Sequence, residues 1–230
     1  MKKKIFITLF ILGAVFSGFS QEIITADRFL QTVSERYATI MDYEARVVIR
    51  SDNTEMTGNL SFLQPYFLRI DFTDPADQVL VFTGDLLTVH VPRLRTVLSQ
   101  AVTPVRRSAS PMGGASMASA QGLQLLRQGY VASFVTGPAP MPLDSGNPEQ
   151  VVQIRLTRRL ASENFREIIL SVNPDTLLIR RIEARTLTNA LVRFDFTNIR
   201  TNVGIPEQRF VYVAPPTANL HNNFLFRDSH

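Results

Sequence analysis

Residues able to do covalent chemistry are few and far apart in this 230-residue chain. The three histidines, His90, His221 and His230, are widely separated, and cysteine is absent. His90 lies between Val89 and Val91 in a strand-like run, a setting that more often gives a solvated or hydrogen-bonded imidazole than a base. The chain has no G-x-S-x-G turn, H-E-x-x-H helix or phosphate loop. Its carboxylates are dispersed through strand-like segments and turns, and without thiolates a transition-metal site would be unusual. These residues point to a protein that is not an enzyme and carries no cofactor. What the chain offers instead is apolar surface at a strand period. In residues 61–72, SFLQPYFLRIDF, the side chains of Phe62, Tyr66, Leu68, Ile70 and Phe72 alternate with Arg69 and Asp71.

Burial of greasy surface is therefore the chemistry to place. The candidate lining is Leu60, Phe62, Tyr66, Leu68, Ile70 and Phe72, joined by Val79, Val81, Leu87 and Val89 from the next hairpin and by Leu123 and Leu126 from a short helix. Plain core packing would ask for the same residue types at each position. A lining of this kind suits an acyl chain, whose burial is worth about 0.8 kcal/mol per methylene. A long chain left in water thus costs on the order of 10 kcal/mol, most of which a soluble binder must offset without holding so tightly that release stalls.

The elements that would position these residues follow from period and punctuation. MKKKIFITLFILGAVFSGFSQE combines three lysines, an apolar run and small residues before Gln21, the pattern of a secretory signal cleaved after Ser20. The run is shorter than the roughly 20 residues of a membrane span. No cysteine near the cut could carry a lipid anchor, so residues 21–230 are expected to be a single soluble domain, a monomer, exported to the periplasm. Loss of Lys2, Lys3 and Lys4, the only lysines, reduces the formal charge from +4 to +1. Arg106-Arg107, Arg158-Arg159 and Arg180-Arg181 are pairs rather than a basic stripe, which argues against nucleic acid.

A helix is expected over 25–41, with Thr25 and Asp27 as candidate caps. Strands follow over 42–51, 56–65, 66–72, 78–83, 86–91 and 96–102. A glycine- and serine-rich stretch, 107–120, reads as a mobile loop, leading to a short helix over 122–129 and a strand over 130–136. After a proline-rich connection, strands are expected over 151–159, 165–172, 177–185, 189–199 and 209–213, with 217–230 a peripheral tail. The fold class is mainly β with a few helices. Ten or eleven antiparallel strands in one strongly curved sheet would form an incomplete half-barrel lidded by helices. A closed barrel or a sandwich fits the strand pattern nearly as well.

Three segments in order resemble the periplasmic lipoprotein carrier (LolA-like) family. They are Gln64-Pro65-Tyr66-Phe67, the hairpin from Pro75 through Val79-Leu80-Val81-Phe82-Thr83-Gly84 to Leu87, and Phe210-Val211-Tyr212-Val213-Ala214-Pro215-Pro216. The resemblance spans nearly the whole chain after the leader. It implies a half-barrel with a helical lid over an apolar cavity, and a carrier that shuttles acylated lipoproteins from the inner to the outer membrane; a lipid- or membrane-protein-binding sensor or regulatory module of the same fold, and a structural envelope protein with a packed interior, stay open beside it. The implied partners are acylated lipoproteins or lipid, an inner-membrane ABC-type lipoprotein-releasing transporter and an outer-membrane acceptor. The family has an arginine before the proline that opens the aromatic strand, credited with holding the lid, and this chain has Gln64 there. Lid control is therefore assigned to Gln64, which keeps an amide donor but no charge, or to Arg69 five residues on.

Overall fold

The computed structural model describes residues 24–52, 54–102 and 117–223. The expected leader, residues 107–116 of the expected loop and the last seven residues of the tail lie outside them. Among the described residues are two α-helices, α1 (Ala26–Ala38) and α2 (Ala120–Gly129). Thirteen strands form one open, curved sheet. They are β1 (Asp42–Ser51), β2 (Thr54–Leu63), β3 (Phe67–Asp74), β4 (Val79–Phe82), β5 (Leu86–Val91), β6 (Thr96–Ala101), β7 (Tyr130–Phe134), β8 (Met141–Asp144), β9 (Asn147–Arg158), β10 (Phe165–Val172), β11 (Ile179–Thr186), β12 (Leu191–Thr201) and β13 (Asn219–Asn222).

The strand order is β13-β6-β5-β4-β3-β2-β1-β12-β11-β10-β9-β7, with β8 also pairing β9. Every pairing is antiparallel except β13 on β6. The two ends do not meet, so the sheet remains an open half-barrel.

Alternation assigns one face of each strand to the hollow. From β1 come Tyr43, Ala45, Val47 and Ile49, and from β2 and β3 come Leu60, Phe62, Leu68, Ile70 and Phe72. The far half adds Ile154, Leu156, Ile168, Leu170, Ile182, Phe194 and Phe196. Over this concave face lie the two helices. Thr25 caps α1 by accepting from the Arg28 N–H at 3.2 Å, and Leu30, Val33 and Tyr37 recur at three- and four-residue spacing on its buried side. Ser119 caps α2 by accepting from the Gly122 N–H at 3.0 Å, and Leu123 and Leu126 point inward. No helix among the described residues is long and apolar enough to cross a membrane.

The convex face carries ion pairs and one strap. Arg181, 5% exposed, donates to both Asp144 oxygens and to Asp195, fastening β8 over the outer surface. Residues 203–213, expected to end in a strand over 209–213, instead cross the sheet as a 3-10 turn (Glu207–Phe210) and an extended run. The Asp42 carboxylate accepts from Val203 and Gly204 N–H groups, and Ile205 and Phe210 bury against Val81. The proline-rich connection holds β8, where Pro142 is tolerated because β8 is an edge strand. The expected peripheral tail supplies β13, whose residues are all exposed.

Candidate apolar binding site

Helix α2 crosses the β2–β4 part of the hollow and leaves a crevice of about 80 Å³ at its edge. The floor is Phe62, Leu68 and Phe82, the rim is Pro65 and Tyr66, and the roof is Ser119, Gln121, Gly122 and Leu125. A small-molecule pocket is commonly 300–1,000 Å³, so this crevice admits only a few methylenes with α2 in place. Its walls carry no charged side chain, which suits a non-directional apolar grip.

Of the twelve lining candidates, Leu60, Phe62, Leu68, Ile70, Phe72, Leu87, Leu123 and Leu126 are buried together in the hollow, with Val89 half-buried against them. Phe62, Leu68 and Tyr66 reach the crevice. Tyr66 is 38% exposed, and its ring lies over Gly84, where φ is 98° and an added Cβ would come within 2.2 Å of the ring, so a side chain there would displace Tyr66. Val79 and Val81 are a correction. They face the convex side and pack with Ile205, Phe210 and Tyr212, because the strap gives that side of β4 its own apolar cover. The inward residues of β4 are Leu80 and Phe82. Leu125 and Phe82 are crevice residues that the alternation pattern does not single out, since four consecutive apolar residues in β4 show no period.

The lid-control candidates separate. Gln64 lies between β2 and β3, and its side-chain amide donates to the carbonyl oxygens of Ile40 at 2.6 Å and of Tyr37 and Ala38 at 3.4 Å. These are carbonyls at the C-terminal end of α1 and just after it, of which Tyr37 also accepts from the Ile40 N–H at 3.2 Å. Arg69 is the second correction. It projects from the convex face, pairs with Asp71 at 2.8 Å and donates to the Arg209 carbonyl oxygen at 3.1 Å, so it holds the strap rather than a helix.

Two buried tyrosines tie the helices to the sheet. The Tyr37 hydroxyl accepts from the Ile179 N–H at 3.1 Å, and burial pushes its pKa up to about 12. The Tyr43 hydroxyl donates to the Ala118 carbonyl oxygen at 2.9 Å, one residue before the α2 cap, and burial raises its pKa well above the ordinary phenol value. Both therefore stay neutral. Tyr43 stacks on Phe62 with ring centroids 5.2 Å apart, so the tie sits on the crevice floor. Between the helices, Arg127 approaches Asp27 only to 3.7 Å and both are solvated. Helix α1 is thus held at its C-terminal end by the amide of Gln64 and the hydroxyl of Tyr37, while α2 is tied to the sheet near its start by the Tyr43 hydroxyl and at its end, where the Gly129 carbonyl oxygen accepts from the Arg159 N–H at 2.8 Å.

The same architecture recurs in solved structures. Mycobacterium tuberculosis lipoprotein LppX matches with a TM-score of 0.50 at 9% identity, over 79% of this chain and 97% of its own. The Pseudomonas aeruginosa MucA/MucB complex matches with a TM-score of 0.50 at 16% identity, over 84% of this chain and 62% of the matched chain, so this protein spans less than two thirds of that length. A LolA superfamily protein from Nitrosomonas europaea aligns over 82% of this chain and 98% of its own, at 14% identity and a TM-score of 0.42. No family model and no curated protein matches the sequence. At these identities the likeness is one of fold. The class is that of an open curved sheet with helices across its hollow.

Proposed function

We propose that this chain is a non-enzymatic, exported carrier that takes acyl chains between α2 and the concave face of β2–β4. The observation that carries the reading is the crevice on Phe62 and Leu68, roofed by a helix whose start is fastened to the crevice floor by the Tyr43 hydroxyl. An acyl chain needs more than 80 Å³, so binding requires α2 to lift and expose the leucines beneath it. Lid displacement is a familiar route to such a site. Within this reading the leader, residues 1–20, is cleaved and the protein works as a monomer in the periplasm. It receives acylated lipoproteins from an inner-membrane ABC-type transporter and passes them to an outer-membrane acceptor. Native mass spectrometry of protein purified without detergent tests the binding step. Co-purified lipid or acylated peptide is expected; its repeated absence, with no uptake of an added diacylated lipopeptide, overturns the reading.

A second reading keeps the site and changes the task. The fold is shared with the Pseudomonas aeruginosa MucA/MucB complex, in which it occurs bound to a protein partner; this favours a sensor or regulatory module that binds lipid or a membrane-protein segment without transferring it. Depleting the protein and fractionating the envelope separates the two. Mislocalised lipoproteins support the carrier, and normal sorting with an altered envelope response supports the sensor.

A further inference from the structure

On the convex face, beside the strap, a recess of about 500 Å³ opens between β1, β2 and β12. Its chemistry is unlike that of the hollow. Arg46, Asn59, Ser61 and Asn198 all line it, and none of their side chains has a hydrogen-bond or ion-pair partner among the described residues. Ser61 is buried among them, and the nearby outward arginines Arg50, Arg69 and Arg181 are by contrast each paired with a carboxylate. The cause lies in the backbone. Between Glu44↔Arg200 and Arg46↔Thr197 the β1–β12 register slips by one residue, and Asn198 takes a left-handed φ of 53°. A bulge of this kind bends the strand and re-aims its side chains.

The charge around the recess is positive. Glu44 is the one carboxylate in its wall and is paired with Arg200. Arg209, reaching in from the strap, shares Asp71 with Arg69. Four guanidinium groups thus stand against two carboxylates, with Arg46 wholly uncompensated.

We propose that this recess is a second binding site, for a phosphate ester carrying a polar group, with Arg46 as the principal anion contact and Asn59, Ser61 and Asn198 as hydrogen-bonding partners. A planar guanidinium matches phosphate oxygens in pairs, and the volume exceeds what a bare oxyanion fills, leaving room for a polyol such as glycerol. Polar amide and hydroxyl walls favour such a group over the apolar side chains that anchor a peptide. The site lies on the face opposite Phe62 and Leu68, so it goes beyond the carrier reading and fails or stands independently of it.

Titration of the isotope-labelled chain with glycerol 3-phosphate, followed by amide NMR, tests the site. Saturable shifts at Arg46, Asn59, Ser61 and Asn198 are expected, none with glycerol alone. Arg46→Ala should weaken binding about tenfold, as loss of one charge-assisted contact implies. Arg46 is exposed and unpaired, so the variant should fold as the wild type does. Absence of saturable shifts, or equal binding by Arg46→Ala, overturns the proposal. Flotation with phosphatidylglycerol vesicles identifies the source: retention competed by glycerol 3-phosphate marks a lipid headgroup, and glycerol 3-phosphate binding without retention marks a free ester. An oligoglutamate peptide that binds where glycerol 3-phosphate does not would replace the site with a protein contact and also overturn it.

Discussion

Replacing Tyr43 with phenylalanine removes a single oxygen from the floor of the hollow. The aromatic ring, and with it the stack on Phe62, is retained. Lost is the 2.9 Å hydrogen bond to the Ala118 carbonyl oxygen, a buried acceptor then left without its donor while α2 stays down. An orphaned buried acceptor costs about 1–3 kcal/mol. When α2 lifts, that carbonyl reaches water, so the cost falls on the closed state alone. The open-to-closed ratio should therefore rise by about 5- to 150-fold. The apparent Kd is the intrinsic Kd divided by the fraction of competent molecules. A fluorescent fatty acid should accordingly bind Tyr43→Phe more tightly by the same factor for as long as the open form is in the minority. Thermal stability should fall in parallel, by about 2–4 °C per kcal/mol for a chain of this size. Paired titration and melting curves decide the matter. If Tyr43→Phe melts lower yet binds the fatty acid with unchanged or weaker affinity, the tie does not restrain the lid and the reasoning is refuted.

Gln64→Ala should leave the C-terminal carbonyls of α1 without their side-chain donor and cost about 1–2 kcal/mol in chemical denaturation. Gln64→Arg, which adds donors and a charge suited to a helix C-terminus, should retain or exceed wild-type stability. Leu125→Glu puts a charge at the exposed lip of the crevice; it should weaken fatty-acid binding at least about tenfold in titration with melting temperature nearly unchanged. Val81→Ala, on the other face, should do the reverse, lowering stability by about 1 kcal/mol while leaving binding as it was. The Arg181 hydrogen bonds hold the Asp144 pKa below the ordinary 3.8. That pairing contributes fully above the ordinary carboxylate value and is lost as pH falls through the depressed one. Asp144→Asn should therefore flatten the acid limb of the stability-versus-pH curve below about 3.8.

Legibility in the sequence tracked how many faces of a strand are apolar. In β2 and β3 the pattern is clean, because Arg69 and Asp71 meet the strap and water while Leu68, Ile70 and Phe72 fill the hollow. In β4, Val79-Leu80-Val81-Phe82 is apolar on both sides, and only the strap, distant in sequence, decides that the valines face out. The strap itself alternates like a strand, with Phe210 and Tyr212 toward the sheet, yet makes no ladder because it runs across the strands. β13 has no apolar alternation to read, being four exposed residues recruited to an edge by backbone pairing with β6. In the candidate site, the aromatic floor was legible. The polar tie from Tyr43 to the Ala118 carbonyl was not, since an acceptor on the backbone leaves no mark on residue type, and Gln64 stood out only through the family resemblance, with its acceptors unnamed.

The strand order also dictates how the molecule can be assembled. Strands β1 to β6 form one up-and-down meander, and β7 to β12 nearly another, each built from neighbours in sequence. A single seam unites them, running from Tyr43↔Thr201 to Ser51↔Val192. Local hairpins close quickly, whereas a pairing across some 150 residues carries a large loop-closure entropy. Until β12 has been made and docked, β1 is an unpaired edge and the hollow has only half its wall. Everything the helices cover depends on that last pairing, so a chain halted before β12 is open along its middle.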